Sequence, residues 1–116
     1  MNVKECYEMM NADYNEVMHH LGSEQMISRF LKKYIDNDEM PKLEEALKNC
    51  QYKDAFICAH NMKGYGLNLS LTEFTETSST LCEALRSGKP TEDVEPLLAN
   101  LRNAHRKLNE VINNLD

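Results

Sequence analysis

The chain has 116 residues and a formal net charge of -6. That length suits one domain, and the acidic balance argues against nucleic acid, whose affinity comes mainly from Lys and Arg neutralising phosphates. Hydrophobic residues make up 41%, with no Trp and three Phe, enough for one modest core but not for a large ligand cavity.

Only four Gly and three Pro stand among plentiful Leu, Glu, Lys, Met and Asn, which favours helix. Val3, Cys6, Tyr7 and Met10 have helical spacing and predict a short first helix. Asn11 or Asp13 is a candidate cap for a second, carrying Tyr14, Val17, Met18 and Leu21 and ended by Gly22. His19 and His20 are adjacent, so on a helix they point about 100° apart and read as surface residues. Ser23 is a good N-cap for a helix to about Asn37, with Met26, Ile27, Phe30, Leu31, Tyr34 and Ile35 as its apolar stripe.

Asn37-Asp38 breaks the pattern. Pro41 then sits in a first turn, where its missing N–H costs little. Met40, Leu43, Ala46, Leu47 and Cys50 form the expected apolar face of that next helix. After Gln51-Tyr52 a helix is predicted from about Lys53 to Leu69. Ser70-Leu71-Thr72-Glu73 fits a capping box, opening a helix to Arg86 with Leu71, Phe74, Ser78, Leu81, Cys82 and Leu85 on one side. Ser87-Gly88-Lys89-Pro90 is a loop. Thr91 begins the last helix, which runs to about Asn114, and Pro96 requires either that the helix proper starts near Asp93 or that it is kinked there.

The expected fold is all-α: an antiparallel four-helix bundle over residues 23–116, preceded by a short helical cap over residues 1–22, in one domain. The heptad register is not sustained, which argues against an extended coiled coil. Cys6, Cys50, Cys58 and Cys82 form no C-x-x-C pair, and no secretory signal opens the chain, so buried reduced thiols in a soluble cytoplasmic protein are expected. No apolar run approaches the roughly 20 residues that cross a bilayer. The complete helical pattern at the N-terminus and the short end after Leu115 lead us to expect a free-standing chain.

Ala59-His60-Asn61-Met62-Lys63-Gly64-Tyr65-Gly66 stands out. It reads as helix interior, yet it carries two glycines, each costing about 1 kcal/mol relative to Ala. On a helical wheel, Ala55, Cys58, Ala59, Met62, Gly66 and Leu69 fall within about 60° of Met62 and form a core stripe rich in small residues. His60 falls about 160° away, with Phe56, Lys63, Gly64 and Leu67 around it and Lys53 and Ile57 on the flank. An isolated outward histidine is usually a surface residue and nothing more. That bland alternative leaves Gly64 and the outward Phe56 and Leu67 without a role, whereas apolar residues around an exposed polar centre suit a partner surface.

A neutral imidazole is a competent nucleophile near neutral pH. Lys63, one turn along the same face, can place positive charge near phosphoryl oxygens, and Gly64 leaves room beside the ring. No Walker-type or G-x-G-x-x-G loop holds a nucleotide. No carboxylate cluster accompanies His60 on its helix to hold Mg²⁺, no nucleophile elbow is present, and the His and Cys residues lack zinc-ligand spacing. Such a histidine reads as a carrier of phosphate between proteins rather than as part of a self-sufficient enzyme.

His60-Asn61-Met62-Lys63-Gly64 resembles the H-x-[LM]-K-G signature of histidine-containing phosphotransfer (HPt) domains of two-component phosphorelays. The resemblance extends over nearly the whole chain: the helix pair before the signature, Asn68-Leu69 after it, the long following helix and the Ser87–Pro90 loop. It implies a four-helix bundle in which His60 takes a phosphoryl group from a receiver-domain aspartyl-phosphate and gives it to another receiver. It also implies that Lys63 stabilises that group and Gly64 permits docking, with Phe56, Ile57, Leu67 and Lys53 as partner contacts. The implied partners are response-regulator receivers and a hybrid sensor kinase. No cofactor is implied on this chain, Mg²⁺ sits on the receiver, and the chain acts as a monomer without membrane or nucleic acid. Three positions depart from the pattern. Ser70 stands where the family often has Gly, Tyr65 replaces a small residue, and Cys82 occupies a place where some relatives use Gln to steady the imidazole.

A chemotaxis-kinase phosphotransfer domain has a similar signature, but 116 residues hold no kinase parts. A sensor-kinase dimerisation domain usually shows acidic and proline residues after its His, unlike Asn61 and Met62. The alternative of a different class is a non-catalytic helical module that binds a receiver or other signalling protein through the same face.

Overall fold

A computed structural model describes residues 1–116. Seven helices and no strand make up the chain: α1 (Val3–Met9), α2 (Tyr14–Leu21), α3 (Glu24–Asp36), α4 (Met40–Lys48), α5 (Tyr52–Asn68), α6 (Thr72–Leu85) and α7 (Val94–Asn113). The molecule is elongated, 40 × 22 × 20 Å. None of its helices is long and apolar enough to cross a membrane.

Local chemistry explains most boundaries. Asn2 and Glu5 form a capping box at α1. Asp13 caps α2 through the Glu16 N–H at 2.9 Å, and Gly22 closes that helix in the left-handed conformation (φ 81). Ser23 caps α3. Asp93 accepts from the Glu95 N–H at 3.1 Å, so α7 starts at Val94 and Pro96 lies in its first turn, where no intrahelical bond is lost.

Three other helix ends use left-handed residues that are not glycine: Asn11, Cys50 and Ser70. Each closes its helix with a paired set of backbone bonds. After α5, the Leu71 N–H reaches the Gly66 carbonyl at 2.9 Å and the Ser70 N–H reaches that of Leu67 at 3.3 Å. Two expectations fall here. The Ser70 capping box does not form: Leu71 is the N-cap of α6 and makes no side-chain cap bond. Ser70 is committed to ending α5, and its hydroxyl donates instead to Glu16 Oε1 at 2.9 Å. Cys50 lies beyond α4 in the left-handed turn and is exposed, not part of the apolar face.

One cluster of buried side chains runs from Val3 to Ile112 and draws on all seven helices. Helix α5 packs against α4 and α6, α6 against α7, and α7 against α3. Ile27, Leu31 and Tyr34 are the buried residues of α3, while Ile35, expected on the same stripe, is exposed at the end of the helix. Helices α1 and α2 are tied to the far end of α5. The Tyr7 hydroxyl donates to the Leu69 carbonyl at 2.7 Å, and the Asp13 N–H to the Ser70 carbonyl at 3.1 Å. At the α3–α4 break, Asp38 accepts the Met40 N–H at 3.0 Å, and both its oxygens lie within 3.0 Å of His105 Nε2 on α7. Packing against α4 and α6 covers one side of α5, while His60, Ile57 and Leu67 on that helix are exposed.

Candidate functional site

The inner side of α5 is built from small residues and one long one. Ala55, Cys58, Ala59, Met62 and Gly66 are all buried. A Cβ on Gly66 would stand 3.1 Å from Phe74 Cδ1 and 3.2 Å from Thr75 Cα on α6, and closer still to Thr75 Oγ1. Gly66 therefore sets how near α5 and α6 approach. A Cβ on Gly64 would meet nothing within 4 Å, so packing within the chain does not require that glycine.

His60 is exposed and faces away from Met62, with Lys63 and Gly64 half-buried one turn further on. Ile57 is 54% and Leu67 53% exposed, and Lys53 is exposed at the start of the helix. Leu67 forms one wall of an open groove shared with Leu21, Phe30, Lys33 and Tyr65 from α2, α3 and α5. Ile57 and Asn61 border a charged groove toward α4, lined also by Glu39, Lys42 and Asp54. Asn61 Nδ2 donates to Glu39 Oε1 at 3.4 Å across it.

Phe56 was expected on the open face, but it is half-buried and packs against the core. Its ring centroid lies 5.9 Å from that of His60, and the Arg86 guanidinium carbon stands 5.3 Å from the ring. That geometry is a cation–π contact. Tyr65 lies toward the buried side. Its ring sits 4.7 Å from that of Tyr34, and its hydroxyl donates to the Phe30 carbonyl. Tyr65 thus joins α5 to α3 and stays clear of His60.

Two residues beside the site were not singled out from the sequence. Arg86 is bound by Glu83 through two bonds, Nη2–Oε1 at 2.6 Å and Nε–Oε2 at 3.0 Å. The Arg86 bond holds the Glu83 carboxyl below the usual range, and Lys63 also pulls it down. Helices α5 and α6 follow one another through a short turn at Leu71, and the register of their packing brings Arg86 over Phe56. Cys82 is buried, and burial pushes its thiol up while Arg86 and Lys63 draw it back. A buried protonated thiol is only a weak donor.

Among the His, Cys, Asp and Glu side chains, no group of three stands together as a metal-ligand set. The arrangement is thus a solvent-facing imidazole flanked by a lysine, an aromatic ring and an unpacked glycine, with apolar shoulders. It can present a nucleophilic nitrogen to a group carried on another molecule. Comparison with family models, curated proteins and solved structures finds no match for this chain.

Proposed function

We propose that the chain is a phosphocarrier of the histidine-containing phosphotransfer type, with His60 as acceptor and donor. The observation that carries this is the pairing of an exposed His60 with Gly64, a helix-interior glycine that faces open space. A glycine there lowers helix stability by about 1 kcal/mol relative to Ala, and access by a large partner accounts for it. In the forward step an imidazole nitrogen attacks the phosphorus of a receiver's aspartyl-phosphate. The P–O bond breaks, the aspartate leaves as carboxylate, and the second ring nitrogen keeps its proton. The reverse step loads the next receiver.

Lys63 would compensate charge on the phosphoryl oxygens. Ile57 and Leu67 would be the apolar docking contacts, with Phe56 and Lys53 at the margin, and the receiver would bring Mg²⁺. The fold proposed for this role is a four-helix bundle. The pairings of α5 with α4 and α6, α6 with α7, and α7 with α3 support it. Ser70, standing where relatives often have glycine, holds a positive φ of 56, so the backbone keeps the shape glycine favours. Without an amide at Cys82, the imidazole would be steadied on that side by Phe56.

The test is incubation with phosphorylated receivers. Acid-labile, alkali-stable label on the wild type and none on His60→Gln is the expected outcome. Equal label on His60→Gln, or none on the wild type from any plausible receiver, sinks the proposal. A non-catalytic docking module would draw on the same exposed Ile57 and Leu67. It differs in predicting receiver binding with no transfer, binding that is lost on Leu67→Asp.

A further inference from the structure

We infer that Glu83 competes with a phosphoryl group on His60 for the guanidinium of Arg86, and so sets the lifetime of the phosphohistidine. The inference rests on the phosphocarrier role proposed above and adds the residue that tunes it. Arg86 is held by two contacts, of which the second brings it toward the site. Glu83 grips it through both carboxylate oxygens, at 2.6 and 3.0 Å, and Phe56 lies under it at 5.3 Å. The same Phe56 ring is 5.9 Å from the imidazole, so a single aromatic ring separates guanidinium and histidine. Lys63 acts on Glu83 from the other helix. The carboxylate therefore stands in the field of both cations beside His60 and offsets them.

A dianionic phosphoryl group on His60 would offer Arg86 and Lys63 a stronger acceptor than one carboxylate. The existing grip is weak enough to exchange, because both side chains are 55% exposed and exposed ion pairs are worth little. With Glu83 in place, the phosphoryl group meets cations that are already partly neutralised. The bond to His60 is then easier to lose, which suits an intermediate that must pass its group on.

The experiment loads His60 chemically, so that it does not depend on finding a receiver. Potassium phosphoramidate is the donor: its P–N bond breaks, ammonia leaves and a new P–N bond forms to the imidazole. A His19→Gln, His20→Gln background removes the other exposed histidines. The half-life of the phosphohistidine is followed by phosphorus NMR after the donor is removed. Glu83→Gln is expected to lengthen it about two- to fivefold, an effect of the size expected for one charge at an exposed site. Glu83→Asp should restore most of the wild-type decay, 0.5 M salt should shrink the difference, and the melting temperature should not move. In an Arg86→Gln background, Glu83→Gln should change the half-life much less. An unchanged half-life in Glu83→Gln, an equal lengthening with Arg86 removed, or failure of His60 to take label from phosphoramidate would overturn the inference. Failure of receiver transfer with a normal chemical half-life would instead overturn only the phosphocarrier role.

Discussion

The two sides of α5 carry the same kinds of residue for opposite reasons. On the inner side, Ala55, Ala59 and Gly66 are small because α6 comes close, and Gly66 has almost no space to spare against Thr75 and Phe74. On the outer side, Gly64 is small although nothing in the chain approaches it. One glycine answers to the fold and the other does not. A helix that were only structural would show small residues on its packed side alone.

Substitutions on the two sides should therefore act differently. The largest expected effect is Met62→Ala, which removes a long, fully buried side chain of the inner stripe (1% exposed). A loss of about 2–5 kcal/mol is expected by denaturant unfolding. Gly66→Ala comes next. The added methyl meets the Thr75 backbone, and forced repacking costs about 1–3 kcal/mol against a gain of about 1 kcal/mol in helix propensity. Net destabilisation is expected, and a more stable Gly66→Ala would mean that α5 and α6 are not as close as described.

Gly64→Ala should go the other way. With no neighbour to displace, it is expected to raise stability by about 0.5–1 kcal/mol while slowing phosphoryl transfer from a receiver. If it destabilises the chain, Gly64 answers to the fold after all and the contrast fails. The smallest effects concern the thiols. At neutral pH a maleimide should label Cys50 well before Cys6, Cys58 and Cys82, which are buried. Burial first, and then Glu39, push Cys58 from 9.0 up to about 11. The folded chain therefore keeps that proton when the unfolded chain loses it. The stability this difference contributes is present below about pH 9 and fades toward pH 11, and Cys58→Ala should flatten the melting temperature over that interval.

Much of this contrast was legible in the sequence, because a 3.6-residue period sorts residues by side without further information. The wheel placed Ala55, Cys58, Ala59, Met62, Gly66 and Leu69 inside, and all six are buried. It put Phe56 outside, and the ring is half-buried: an angle on one helix does not report that Arg86, at the end of α6, stands over the ring. Ser70 departs from its sequence pattern for a related reason. The S-x-x-E pattern needs its serine in extended backbone, but the end of α5 holds Ser70 left-handed and a tertiary bond to Glu16 takes its hydroxyl. Cys50 carries an apolar side chain at helical spacing yet serves as a helix terminator. Left-handed ends made from Asn, Cys and Ser lack the glycine that marks such turns in a sequence. Glu83 and Arg86 were visible as an i,i+3 pair, but their position beside His60 depends on the register of α5 against α6.

The measurement that bears most directly on the outer side of α5 is transfer from a phosphorylated receiver to the wild-type chain and to His60→Gln, with the labelled residue mapped by mass spectrometry. Label on His60 in the wild type that returns to a second receiver, and none on His60→Gln, is the expected result. Label that persists in His60→Gln, or a wild type that binds receivers and never takes the group, would contradict the phosphocarrier role.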